Sequence, residues 1–153
     1  MKVAIGSDHA GFALKERVKH ELERLGHTVE DVGTFSGTES VDYPDYAIPV
    51  GERVAEGKAD RGVVMCASGI GVAIAANKVS GVRASVVTSD ETARLTRQDN
   101  DSNVLALGGR TTPNYDDALR WLRIWLETPF ARGRHERRVK KIEDYENHHT
   151  LKR

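Results

Sequence analysis

The chain has 153 residues, a length that suits one domain with a single buried core. Its 23 lysines and arginines balance its 23 aspartates and glutamates, so no net charge draws the whole chain to nucleic acid or to a membrane surface. Its one cysteine, Cys66, excludes an internal disulfide, and no apolar run approaches the roughly 20 residues of a membrane span. We therefore expect a cytoplasmic protein with a single domain over residues 1–153. The C-terminal tail, from about residue 143, is expected to lie at the periphery of that domain.

Short apolar runs rich in β-forming residues alternate with longer segments of helical periodicity. The runs are Val3–Ile5, Thr28–Val32, Gly62–Met65, Ala84–Val87 and Val104–Leu107. This alternation is typical of parallel βαβ units, so the sequence predicts an α/β fold.

The first predicted helix carries an apolar stripe of Leu14, Val18, Leu22 and Leu25 and ends at Gly26. Further helices are predicted at Ala47–Glu56, Gly71–Lys78, Thr92–Arg97 and Asp116–Glu127. Between them, residues 33–49 are predicted to form a long loop that lines a binding crevice.

The last of these helices has two stripes. Leu119, Leu122 and Leu126 form one that we expect to be packed, and Trp121 and Trp125 form another. For the tryptophans we expect partial burial against a neighbouring element or a subunit. Residues 148–153 are predicted to be a frayed tail, in which His148 and His149 are solvated and do not bind a metal.

Asp8, His9 and Gly11 follow the first strand and open the first helix. This places them at the carboxyl edge of the sheet, where open α/β folds bind ligands. Asp8 and His9 can contact a ligand there. A helix cap explains Asp8 equally well, so both interpretations stay open.

The run Cys66-Ala67-Ser68-Gly69-Ile70-Gly71 joins the third predicted strand to a helix. Its glycines let the backbone approach a ligand, and the first amides of a helix have no intrahelical partner, so the run suits a phosphate or an enediolate oxygen. A thiol and a hydroxyl lie beside the positive end of the helix dipole, which favours a thiolate. The alternative is a buried cysteine on a core strand.

Two further clusters follow along the chain. The acidic, amide-rich turn of residues 99–103 either only terminates a helix or supplies site residues. The fifth strand ends in Gly108-Gly109-Arg110, at the same edge of the sheet as the glycine-rich run. Arg110 can therefore meet an anion bound by that run.

The C-terminal segment is strongly basic, with Arg134 and Arg138 one helical turn apart. Two guanidiniums so placed can grip a phosphate, and a solvated charged helix is the alternative. Nucleic-acid binding is less well supported, because the chain has no net positive charge and no interleaved aromatics. The absence of zinc-ligand spacing and of a lysine-containing Walker loop favours an enzyme that uses neither a metal nor a nucleotide.

Taken together, six ordered motifs resemble the RpiB/LacAB sugar-phosphate isomerases, the type B ribose-5-phosphate isomerases. They are Gly6-Ser7-Asp8-His9-Ala10-Gly11-Phe12, Asp42-Tyr43-Pro44, Cys66 to Gly71, Ala75-Ala76-Asn77-Lys78, Asn103-Val104-Leu105-Ala106 and Gly133-Arg134-His135-Glu136-Arg137-Arg138. The resemblance runs from residue 2 to about residue 142. It implies a Rossmann-like three-layer α/β/α sandwich with a five-stranded, mainly parallel sheet, no cofactor, and a homodimer, in some members a tetramer, with shared active sites.

The resemblance also implies roles for individual residues. Cys66 matches the base that moves a proton between C1 and C2 of the sugar, and Ser68 matches a residue that relays protons between the two oxygens. The amides of Ala67, Ser68, Gly69, Ile70 and Gly71 match the anion hole for the enediolate. The sugar contacts that it implies are Asp8, His9, Tyr43 and Asn100. Arg110, Arg134 and Arg138 match phosphate or substrate contacts, to which His9 can add.

Position 99 departs from the family, since Asp99 replaces the ring-opening histidine. A carboxyl group donates a proton at neutral pH only if burial keeps it protonated. Three hypotheses follow. A buried, protonated Asp99 opens the ring, another group such as His9 does so, or the substrate needs no opening, as with a tetrose 4-phosphate.

The expected activity is cofactor-independent aldose–ketose isomerisation, with ribose 5-phosphate and ribulose 5-phosphate as the leading pair. The alternatives are another sugar phosphate (allose 6-phosphate, galactose 6-phosphate or a tetrose 4-phosphate) or a non-catalytic sugar-phosphate-binding protein.

Overall fold

The apolar runs of the sequence pair into one sheet. The computed structural model describes residues 1–149, in which the strands are β1 (Lys2–Ser7), β2 (Thr28–Asp31), β3 (Arg61–Cys66), β4 (Ala84–Val86) and β5 (Val104–Gly108). Their order in the sheet is β2-β1-β3-β5-β4, and every pair is parallel. The predicted α/β class is confirmed, and the sheet expected to be mainly parallel is wholly so within these residues.

The helices are α1 (Phe12–Arg24), α2 (Pro44–Ala55), α3 (Ile70–Ala76), α4 (Asp90–Gln98), α5 (Tyr115–Glu127) and α6 (Arg134–His148). Helices α1, α4 and α5 cover one face of the sheet, and α2 and α3 cover the other. Neighbouring residues of a strand therefore enter different cores: Val63 and Met65 face α1 and α5, whereas Val64 and Cys66 face α2 and α3. The three-layer arrangement is the one expected from the resemblance.

Among helices α2 to α5, three limits differ from the prediction by two or more residues. Helix α2 begins at Pro44 instead of Ala47, because proline fits the first turn of a helix, where its missing N–H has no partner to lose. Helix α4 begins at Asp90 because the Ser89 hydroxyl caps it, accepting from the Thr92 amide at 3.1 Å. Helix α3 ends at Ala76, before the predicted Lys78. The predicted loop 33–49 consequently covers only residues 33–43.

The expectation of partly buried tryptophans is wrong for Trp125, which is fully buried in the core of the chain itself. Its indole Nε1 donates to Ser102 Oγ at 2.9 Å. The Arg61 guanidinium stacks on its ring, 5.1 Å from the centroid, and donates from Nη1 to the Trp125 carbonyl at 3.0 Å. Burial lowers the pKa of Arg61 to about 10. Trp121 is buried as well, so neither ring needs a subunit to cover it.

Helix α6 packs at the amino edge of the sheet and is mostly exposed. Within residues 134–148, Val139 alone is buried. The helix continues to His148, and His149 stacks on Tyr145 with ring centroids 4.3 Å apart, so the prediction of a frayed tail is wrong for these two residues. The rest of that predicted tail, residues 150–153, lies outside the described residues. Each helix within residues 1–149 is too short or too polar to cross a membrane.

Candidate active site

The glycine-rich run forms a strand–turn–helix junction, as predicted. Strand β3 ends at Cys66, α3 begins at Ile70, and Gly69 caps the helix with a φ of +79°. A Cβ on Gly69 would lie 2.9 Å from the Leu107 carbonyl carbon and 3.2 Å from the Gly108 nitrogen. Glycine is required here because the turn is left-handed and its backbone touches the end of β5.

Backbone hydrogen bonds tie this junction to the loop after β5. The Gly109 amide donates to the Cys66 carbonyl at 2.8 Å, and the Arg110 amide donates to the Ala67 carbonyl at 2.9 Å. Arg110 therefore lies beside the glycine-rich run, anchored through its own backbone. The Ser68 hydroxyl accepts from the Ile70 amide at 3.2 Å, which holds its oxygen over the start of α3.

Cys66 is sheltered by its surroundings. The residue is 4% exposed and belongs to the apolar cluster between the sheet and α2 and α3, with Ala4, Val50 and Ala106. The structure thus agrees with the buried cysteine on a core strand that the sequence offered as the alternative, and a role in ligand binding stays a prediction.

Asp8 and His9 reach the same edge from the end of β1. Asp8 Oδ1 accepts from the Gly11 amide at 3.0 Å, which closes the turn before α1, whereas the N-cap residue of α1 is Gly11. His9 Nδ1 accepts from the Val41 amide at 3.2 Å. Because a backbone N–H can only donate, Nδ1 is the unprotonated nitrogen of this ring and Nε2 carries the proton of the neutral imidazole. His9 is therefore fixed as a donor through Nε2.

Tyr43 closes this side of the site. It precedes α2, and its ring lies over the first turn of α3, where a Cβ on Gly71 would meet ring carbons at 2.8 Å. The residues gathered at the carboxyl ends of β1, β3 and β5 are called the carboxyl-edge group. Its members are Asp8, His9, Tyr43, Cys66, Ala67, Ser68, Gly69, Ile70, Gly71 and Arg110.

The structure does not bring the other candidates to this edge. Strand β5 starts beside Gly62 and ends beside Cys66, and the turn of residues 99–103 precedes it. Four residues of strand separate the two ends, about 13 Å at 3.3 Å per residue. The residues at the far end are called the amino-edge group, and they are Asp99, Asn100, Arg134 and Arg138.

The end of α4 and the start of α6 meet at the amino-edge group. The Ala131 amide donates to the Gln98 carbonyl at 3.0 Å, which ties the approach to α6 to the end of α4. His135 Nε2 lies 3.5 Å from Asp99 Oδ1. Sequence reasoning did not assign a role to His135, although the residue lies within a motif that carried the resemblance.

The arginines of both groups have no ion pair with any of residues 1–149. Within residues 1–149, carboxylates pair with Arg83, Arg97, Arg120 and Arg123. No such partner is found in that range for Arg110, Arg134 or Arg138. Unpaired guanidiniums are suited to bind an anion such as phosphate through two parallel hydrogen bonds.

Comparison with known proteins gives consistent results. The model of the family described as Ribose/Galactose Isomerase matches residues 3–142. Ribose-5-phosphate isomerase B of Escherichia coli is 43% identical over 92% of this chain and 93% of its own. The solved ribose-5-phosphate isomerase B of Clostridium thermocellum is 47% identical, covers 98% of this chain and 100% of its own, and superposes with a TM-score of 0.94. That of Mycoplasma genitalium, solved with bound ribulose 5-phosphate, is 37% identical over 96% of this chain and 97% of its own, with a TM-score of 0.92.

We predict that Gly69→Ala destabilises the fold more than Gly26→Ala does. Both glycines have positive φ, which costs an alanine about 1–2 kcal/mol, but Gly26 has no atom within 4 Å of a new Cβ. At Gly69 the clash with β5 adds about 1–3 kcal/mol. Urea unfolding followed by circular dichroism measures both losses. Equal losses would contradict the close contact between the run and β5.

Proposed function

Because the chain belongs to the ribose/galactose isomerase family, we propose that it interconverts ribose 5-phosphate and ribulose 5-phosphate through an enediolate intermediate. The family match over residues 3–142 confirms the resemblance stated from the motifs. The chain is an isomerase that acts on a sugar phosphate. The choice of the pentose pair, the residue roles and the assembly are the proposal.

The observation that carries the proposal is the position of Cys66. Its thiol ends β3 at the first residue of a run whose amides open a helix, beside Ser68 and next to the anchored Arg110. Proton transfer between carbons next to a carbonyl needs a base close to donors that stabilise the growing negative charge. This arrangement supplies the base and the donors in six consecutive residues.

The proposed reaction moves two protons. In the open-chain aldose, the Cys66 thiolate takes the proton from C2, the C2–H electron pair forms the C1–C2 double bond, and negative charge collects on O1. The amides of residues 67–71 stabilise that charge. Ser68 relays the O2 proton to O1, C1 takes the proton back from the thiol, and C2 becomes the ketone. No atom is gained or lost, as an isomerisation requires.

Substrate binding is divided between the two groups. At the carboxyl edge, Asp8, the Nε2 donor of His9 and Tyr43 are proposed to hydrogen-bond the sugar hydroxyls. Asn100 is proposed to add a contact from the amino-edge group. The phosphate is proposed to bind Arg110, Arg134 and Arg138, which carry unpaired positive charge within residues 1–149. Binding energy at the phosphate holds the reacting carbons in register with the thiol.

One chain does not bring both groups to one substrate, because packed strands separate them. We propose a homodimer in which the amino-edge group of one copy completes the carboxyl-edge group of the other. Exposed apolar side chains flank both groups and support this arrangement: Ile70 and Ile74 on α3, and Ile142 and Tyr145 on α6. Apolar surface of this kind commonly marks a protein–protein interface.

Asp99 also favours a second candidate substrate. The family's histidine would exchange protons with the ring oxygens of a closed sugar, and Asp99, whose side chain is 34% exposed, stands in its place. Erythrose 4-phosphate cannot close a furanose ring, because its O4 is esterified, and it needs no such group.

We expect ribose 5-phosphate and ribulose 5-phosphate to give the highest kcat/KM in a panel with allose 6-phosphate, galactose 6-phosphate and erythrose 4-phosphate. Steady-state rates followed by the absorbance of the ketose product measure this. A higher kcat/KM for erythrose 4-phosphate would indicate that the substrate is a tetrose phosphate and not the pentose pair.

We predict that Cys66→Ala lowers kcat by about 10²–10⁴-fold, since the Cys66 thiolate is the proposed base for the carbon-bound proton. Binding of a phosphorylated hydroxamate, measured by titration calorimetry, should be largely retained. Cys66→Ser keeps the packing volume and should lose turnover as well. Near-normal turnover in either variant would remove the thiol from the mechanism.

Mixed dimers test the shared site. Cys66→Ala and Arg138→Ala proteins should each be nearly inactive alone. After unfolding together and refolding in equal amounts, half of the dimers contain both chains and one of their two sites is intact, so about a quarter of wild-type activity should return. The control mixture of Cys66→Ala with Ser68→Ala damages every site and should recover nothing. The same lack of recovery with Arg138→Ala would indicate that the site is not shared.

A further inference from the structure

We propose that His135 is the acid–base that opens the sugar ring and that Asp99 positions it. This assignment deepens the proposed function and rests on it, because it names the group that prepares a closed sugar for the chemistry at Cys66. It replaces the three hypotheses left by the sequence with one pair of residues.

The two side chains meet where two helices end. Asp99 follows the last residue of α4, and its Oδ1 lies 3.5 Å from His135 Nε2 and 3.4 Å from the donating Gln98 Nε2. His135 is the second residue of α6, on the same segment as Arg134 and Arg138. Its side chain is 14% exposed, so it is a sheltered ring within a mostly exposed helix.

Among the residues of the amino-edge group and their contacts, the imidazole is the side chain suited to give and take a proton near neutral pH. Arginines keep their protons, and the Asn100 amide does not ionise. A carboxyl group keeps a proton only where burial or a like charge demands it, and the Asp99 carboxyl is one-third exposed and faces an imidazole.

The contact between Asp99 and Nε2 sets the orientation of the ring. A carboxylate on one ring nitrogen fixes the imidazole and stabilises the imidazolium that forms when the other nitrogen takes a proton. Nδ1 of His135 has no hydrogen-bond partner among residues 1–149, so that nitrogen is available to a substrate. The 3.5 Å separation is long for a hydrogen bond, and such catalytic contacts often shorten when substrate binds.

His9 is less suited to this step. Its Nδ1 already accepts a hydrogen bond from the Val41 amide, so the nitrogen that would have to take a proton is occupied. Nε2 of His9 can donate to a hydroxyl but cannot begin a cycle of taking and returning a proton without losing the bond to Val41.

The proposed step conserves all atoms. In the furanose form, His135 Nδ1 takes the proton of the O1 hydroxyl, and the C1–O4 bond breaks as the C1–O1 double bond forms. The electron pair of the broken bond goes to O4, which receives the proton back from Nδ1. The open-chain aldehyde that results is the form from which Cys66 removes the C2 proton.

The test compares a substrate that closes a ring with one that does not. Ribose 5-phosphate closes through O4, whereas ribulose 5-phosphate has an esterified O5 and stays open. The variants are His135→Asn and Asp99→Asn, and the matched control is His20→Asn, which removes an exposed histidine of α1. The readouts are kcat/KM for ribose 5-phosphate and deuterium incorporation into ribulose 5-phosphate in heavy water.

We expect His135→Asn to lower kcat/KM for ribose 5-phosphate by about 10²-fold. Deuterium incorporation from ribulose 5-phosphate should fall far less, because that reaction starts from an open chain. Asp99→Asn should also lower kcat/KM for ribose 5-phosphate more than deuterium incorporation, but by a smaller factor than His135→Asn. His20→Asn should leave both rates as in the wild type.

Equal losses on the two substrates would overturn the assignment, since they would indicate a role in binding or structure only. An unchanged rate on ribose 5-phosphate would overturn it as well. Both outcomes leave the proposed function standing, because the wild-type chain still turns over the pentose pair. A wild-type chain inactive on both substrates would overturn the proposed function, and the assignment of His135 with it.

Discussion

The parallel pairing of β3 with β5 is the constraint on which the rest of the structure depends. It sets Cys66 beside Gly108 and lets the turn at Gly69 lie directly on the backbone of β5. The loop carrying Arg110 then bonds to the carbonyls of Cys66 and Ala67. The end of β3, the start of α3 and the backbone of Arg110 are therefore fixed relative to one another by main-chain contacts. Such contacts are less easily displaced than those between flexible side chains, which suits a site that has to be preorganised.

The chain has no formal net charge, so individual arginines have to supply the positive charge that binds an anion. The chain is formally neutral, and most of its described arginines are bound to carboxylates or carbonyls, as Arg97 is to Asp101 and to the Ser102 carbonyl. Arginines left without such partners at both edges of the sheet keep their charge available to an anion. The proposed phosphate contacts therefore depend on a few arginines and not on the net charge of the chain.

The two edges of the sheet suit two different proton transfers. In the proposed mechanism, Cys66 at the carboxyl edge takes a proton from carbon, where a desolvated base and preorganised amides matter most. The proposed pair of Asp99 and His135, with side chains 34% and 14% exposed, moves protons between oxygens, which exchange more readily. Separating them in one chain lets each group have its own environment. The proposed dimer would bring both to one substrate.

The sequence by itself determined the strands, the stripe on α1 and the glycine-rich turn, because each depends on local periodicity or on the backbone freedom of a few residues. It also determined which residue types were available at the site. Only the tertiary structure decided that Asp99 and Arg138 lie at the opposite edge from Cys66, that Trp125 is enclosed by Arg61 and Ser102, and that His135 faces Asp99. Those contacts join segments far apart in the chain, and no local pattern encodes which distant segments will meet.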